Sequence, residues 1–67
     1  MSIARVTEIS ATSQSSFDDA TKQGIERASK SLRGIKSAWV KDLNVMVDGG
    51  RITEFRVNLA VTFVLED

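Results

Sequence analysis

The stretch Thr53-Glu-Phe-Arg-Val-Asn-Leu-Ala-Val-Thr-Phe-Val-Leu65 decides the fold of this chain. Thr53, Phe55, Val57, Leu59, Val61, Phe63 and Leu65 alternate with Glu54, Arg56, Asn58, Ala60, Thr62 and Val64. Strict period-two alternation rich in β-branched and aromatic residues specifies a strand. Its odd face is apolar and must meet a core. Its even face begins polar but ends in Ala60, Thr62 and Val64, which are poorly suited to face water in so small a protein. One helix covers one face of a sheet, so the second face calls for a cover from outside the chain. This strand therefore predicts a self-assembling protein.

Size and composition point the same way. Residues 1–67 are expected to form a single domain. A core of that size is marginal without disulfides, metal or oligomerisation. The sequence has 0 cysteines and 0 histidines. That removes disulfides, the common zinc ligand sets and catalytic pairs built on histidine. Assembly is the remaining staple, and the lack of cysteine suits a reducing cytoplasm. Nine basic and nine acidic residues cancel, which argues against nucleic acid as a partner. No apolar run is long enough to span a bilayer, and Arg5 and Glu8 interrupt any signal-like segment near the start, so no membrane partner is expected.

Working outward from the long strand, Asp48-Gly49 between two alternating runs signals a hairpin. Ser37 to Val47 is the strand that precedes it. Ser16 is a helix N-cap, with Asp18 and Asp19 in the first turn, where the macrodipole favours negative charge. Ser16 with Asp19 approximates a capping box. Phe17, Ala20, Gly24, Ala28 and Leu32 fall on one helix face, flanked by Ile25. Gly34 is the expected C′ residue. Ile3 to Ser10 is a first strand, and Ala11 to Ser15 a polar loop.

The order is β-α-β-β, an α+β class. With the long strand central, it pairs antiparallel with both neighbours, giving a three-stranded antiparallel sheet and one helix packed on one face. The bare face then carries Ala60, Thr62 and Val64, with Ala38, Val40 and Met46 as candidates for the same side.

This order on so short a chain resembles the dodecin family. Val6-Thr-Glu-Ile-Ser-Ala-Thr-Ser13 is similar to that family's opening strand and loop. Ala28-Ser-Lys-Ser-Leu-Arg33 is similar to its helix end, and Phe55-Arg-Val-Asn-Leu-Ala-Val-Thr-Phe-Val-Leu-Glu66 to its closing strand. The resemblance implies a hollow homododecamer built from trimers that stores flavins such as riboflavin or FMN at subunit interfaces and is not an enzyme. Some members hold coenzyme A at a trimer contact.

The resemblance also implies positions for the flavin site, and this chain departs from them. Aligned without gaps, the family's stacking tryptophan falls on Ser37. Its closing-strand glutamine falls on Arg56, and an arginine on its second strand falls on Asn44. The pattern resembles the flavin-less branch of the family, in which calcium-binding members occur. Trp39 lies two residues from Ser37, on the same strand face. It either stacks a planar ligand from a shifted position or packs at a subunit interface, and the interface reading stands ahead.

Other chemistry stays subordinate. Arg56 can pair with a carboxylate or phosphate, or make an intersubunit salt bridge to Glu54 or Asp42 of a neighbour. Arg27, Lys30 and Arg33 recur along the helix as a basic stripe or a solvated face. Arg27 and Arg33 match basic positions of coenzyme-A-binding members. Asp42, Asp48, Glu54, Glu66 and Asp67 form no twelve-residue calcium loop, so a calcium site would need several subunits. The serine-rich segment Ser10 to Ser16 lacks the glycines and lysine of a P-loop. No nucleophile–base pair can be nominated, which leaves two functions: a shell that sequesters a small ligand, or a structural or ion-binding shell.

Overall fold

The structure, a computed structural model, describes residues 3–65. Glu66 and Asp67, named above among the carboxylates, lie outside the described residues. The elements are β1 (Ile3–Ser13), α1 (Phe17–Ser31), β2 (Ile35–Asp48) and β3 (Arg51–Leu65). The sheet order is β1-β3-β2, and both pairings are antiparallel. This is the expected split β-α-β with the long strand in the centre.

Boundaries differ where pairing overrides local composition. β1 runs through the segment expected to be a loop: Ala11, Thr12 and Ser13 pair with Val57, Arg56 and Phe55. Ser13 then starts the turn into the helix. Its Oγ donates to Asp19 Oδ2 at 2.5 Å and accepts from the Ser15 amide at 2.9 Å. β2 begins at Ile35, earlier than Ser37, and β3 at Arg51, earlier than Thr53. Asp48 pairs with Arg51, so the turn is Gly49-Gly50, not Asp48-Gly49. Both glycines have positive φ, 59° and 78°, as a two-residue type I′ hairpin demands.

Ser16 caps α1, its Oγ accepting from the Asp19 amide at 2.9 Å. The reciprocal half of the capping box is diverted. Asp19 accepts instead from Ser13 and from Gln23 Nε2 at 2.7 Å. The helix ends at Ser31, so Arg33 lies beyond it and does not continue a helical stripe with Arg27 and Lys30. Glu26 and Lys30 form no ion pair; among the described residues the one salt bridge is Lys41–Glu8. The turn at Gly34 (φ 75°) is tied to β3 by the Val64 amide donating to the Gly34 carbonyl at 3.1 Å.

The core lies between α1 and the odd face of β3. Val57, Leu59 and Val61 are fully buried with Ala20, and Ile9, Ala11, Phe17, Ile25 and Ile35 pack around them. Phe17 meets Phe55 edge-to-face at 5.1 Å and 79°, the favoured aromatic geometry. The helix sits over β1 and β3 and leaves much of β2 open, so Val40 and Leu43 are exposed.

One expectation about faces fails. Ala38 and Val40 pair with Val61 and Leu59, so they lie on the helix side of the sheet, not on the bare face. The cause is a register shift between Val40 and Asp42, with Lys41 as the extra residue. A bulge of this kind reverses which residues of a strand point to which face. Trp39 before it and Asp42, Asn44 and Met46 after it therefore share the bare face.

Candidate functional site

The sheet face away from α1 is organised in rows that cross the strands. Successive rows along β3 are Val6–Thr62–Ser37, Glu8–Ala60–Trp39, Ser10–Asn58–Asp42 and Thr12–Arg56–Asn44. Alternation on a strand puts every second residue on one face, so adjacent rows stand about 7 Å apart.

The Trp39 row has the clearest shape. Trp39 is 77% exposed, whereas Ala60 beside it is only 8% exposed. Lys41 Nζ reaches Glu8 Oε2 at 3.1 Å, joining the two edge strands. Val6, Glu8, Trp39, Lys41 and Ala60 line a depression of about 430 Å³. Its apolar wall and charged rim suit a flat apolar group with polar edges.

Further along, Asn58 Nδ2 donates to Asp42 Oδ1. In the next row Arg56 faces Asn44 on one side and Thr12 on the other. Arg56 Nε is buried and has no hydrogen-bond partner. A guanidinium carries five donors and no acceptor, so this atom lacks an acceptor group.

The sequence-predicted residues fall into separate places. Asn44 stands directly opposite Arg56. Ser37 is opposite Thr62, six residues from Arg56 along β3, about 20 Å. One subunit therefore does not bring Ser37 and Arg56 together. Trp39, opposite Ala60, is nearer, about 13 Å along the strand. Arg27 is elsewhere, in a depression between α1 and β1 with Ile9, Ala11, Gln23 and Gly24. Arg33 lines a different one with Gly34, Phe63 and Val64. Within one subunit these two arginines do not share a site.

Sequence reading did not single out Lys41, Glu8, Asn58 or Thr12. Their juxtaposition depends on register and on the Lys41 bulge, which no local pattern announces. Among the described residues no three carboxylates, histidines or cysteines cluster as a metal site. No described helix is long and apolar enough to cross a membrane.

A small β-α-β-β subunit with a bare, partly apolar sheet face and an exposed indole describes a binding protein. The chain belongs to the dodecin family, whose model matches residues 3–66. Dodecins are non-enzymatic proteins that bind small ligands, flavins among them. The fold matches dodecin from Streptomyces davaonensis with a TM-score of 0.94 and 32% identity, covering 98% of this chain and 97% of that one. A mutant of Thermus thermophilus dodecin matches with a TM-score of 0.93 and 27% identity, each chain covered to 100%. The calcium-chelating antigen of Mycobacterium tuberculosis, calcium dodecin, matches with a TM-score of 0.83 and 31% identity, covering 96% of this chain and 91% of that one. A comparison with curated proteins gives no significant match.

Proposed function

We propose that this chain assembles into a homododecamer built from trimers and sequesters a small aromatic ligand, riboflavin or FMN, against Trp39. The observation that carries this reading is the 77% exposed indole beside a depression of about 430 Å³ on the sheet face that the helix leaves bare. An indole so exposed supplies a stacking plane. The Arg56 guanidinium, which makes no ion pair with a described residue, supports a ligand that brings acceptors to the same face.

Flavin binding is weaker than in typical members, micromolar or worse. Ser37 offers no stacking plane. Arg56 stands about 13 Å along β3 from the residue opposite Trp39, too far to hold the uracil-like edge of a ring stacked on that indole. Asn44 carries no charge.

A titration of riboflavin, followed by quenching of its fluorescence, tests this in the wild type and in Trp39→Ala. Quenching that weakens in the variant supports the reading. Tight binding untouched by the variant removes Trp39 from the site. Light scattering coupled to size exclusion tests the assembly; a folded monomer near 7.3 kDa refutes it.

A second reading is a shell that takes calcium or coenzyme A and no flavin. It draws on the likeness to calcium dodecin and on the replaced positions Ser37, Asn44 and Arg56. Calcium would need carboxylates from several subunits, and coenzyme A would need Arg27 and Arg33 brought together across a subunit contact. Absence of flavin quenching, together with calcium retained in equilibrium dialysis, favours it.

A further inference from the structure

The rows of the bare face differ in chemistry in an ordered way. The Trp39 row offers an indole, the Ala60 methyl and the Glu8–Lys41 pair. The next row offers the Ser10 hydroxyl, the Asn58 amide and the Asp42 carboxylate. The third offers the Thr12 hydroxyl, the Asn44 amide and the Arg56 guanidinium, with no carboxylate in the row.

We propose that this face takes a phosphorylated aromatic ligand in extended form: ring on Trp39, hydroxylated spacer over the Asn58–Asp42 row, and oxyanion on Arg56. The proposal rests on the reading that Trp39 stacks a small aromatic ligand, and it assigns the anchor and the order of groups. The ring and anion ends are separated by about 13 Å, four residues of β3.

Charge fixes the order. Asp42 accepts hydrogen bonds from hydroxyls and repels an anion, so a polyol belongs over its row and the phosphate does not. Its Oδ1 already takes the Asn58 amide, and a carboxylate has capacity for further donors. Arg56 is the reverse: donor-only, forked, and matched to two oxygens of an oxyanion at once. Its guanidinium makes no ion pair with a described residue. Glu54, the nearest same-face carboxylate on the far side, is opposite Met46 and also forms no ion pair with Arg56.

The test compares FMN with riboflavin on the assembled wild-type protein, in Arg56→Gln and Arg56→Lys, and in Lys22→Gln. Lys22→Gln removes one positive charge from the exposed surface of the helix. Quenching titrations give both affinities for each protein. The proposal expects FMN to bind wild type at least about tenfold more tightly than riboflavin, the scale of charge-assisted hydrogen bonds. Arg56→Gln erases that preference while riboflavin affinity stays within about twofold. Arg56→Lys keeps part of the preference, since charge remains but the fork is lost. Inorganic phosphate competes with FMN and not with riboflavin.

Equal wild-type affinities for the two flavins overturn the anchor and leave the stacking reading intact. Loss of preference in Lys22→Gln as large as in Arg56→Gln also overturns it, because a diffuse field then explains the effect. Breakdown of the particle in both Arg56 variants overturns it in favour of an intersubunit ion pair. Failure of either flavin to bind overturns the stacking reading and the anchor together.

Discussion

Gly24 is where the helix meets the sheet most closely, and an alanine there sets two effects of opposite sign against each other. A Cβ added to Gly24 would lie 2.8 Å from Ala11 Cβ and 3.5 Å from Leu59 Cδ1. Carbon pairs prefer about 3.5–4.0 Å, so the Ala11 contact is too short by about 1 Å. Ala11 Cβ is fixed to the β1 backbone and cannot rotate away, so the helix itself must move. Alanine in place of a helical glycine returns about 1 kcal/mol. Overpacking of a well-packed contact costs about 1–3 kcal/mol. The clash should win, and Gly24→Ala is expected to lose about 1 kcal/mol net. Urea denaturation followed by far-UV circular dichroism measures this, at one fixed protein concentration because assembly is linked to stability. A double-mutant cycle with Ala11→Gly isolates the contact. Removing the opposing methyl should recover about 1 kcal/mol of the interaction. If Gly24→Ala is more stable than wild type, α1 does not approach β1 this closely and the packing argument is wrong.

Leu59→Ala, at a fully buried position, is expected to cost about 2–5 kcal/mol. That is a large share of the roughly 3–10 kcal/mol available to a chain of this length, and an unchanged melting temperature would contradict the core assignment. Gly34→Ala forces a side chain into positive φ and sets a Cβ 3.1 Å from the Val64 carbonyl oxygen; a loss of about 1–2 kcal/mol in the same urea assay is expected. Ala60→Asp puts a carboxylate on the bare face opposite Glu8 and is expected to break the assembly, at a cost of several kcal/mol for an unpaired buried charge. Light scattering decides that case, because a full-size particle with unchanged melting temperature would mean the face stays open to water.

The identities of the elements were legible in the sequence because each carries a local signal. Alternation marks β3, the Ser16 cap and small-residue stripe mark α1, and Asp48-Gly49 marks the hairpin, one residue before its actual turn. The apolar end of the second face of β3, at Ala60, Thr62 and Val64, was also legible, and with it the expectation of a partner. The ends of β1 were not legible. Ala11, Thr12 and Ser13 are polar or small and suggest a loop, and only pairing with Val57, Arg56 and Phe55 makes them strand.

Trp39 and Arg56 could be singled out as residues from the sequence, but their relation could not. That relation depends on one extra residue, Lys41, between two register-matched halves of β2. The bulge sets Trp39, Asp42 and Asn44 on one face and sends Ala38 and Val40 to the other. Local propensity is nearly the same with or without such a bulge. Its position is fixed by which residues of β3 each half of β2 can pair with while keeping Leu43 and Val45 on the helix side. The sequence by itself determined the strands, the helix and the hairpin. The tertiary pairing alone decided which side chains stand together on the bare face, because register is a property of two strands and neither one specifies it.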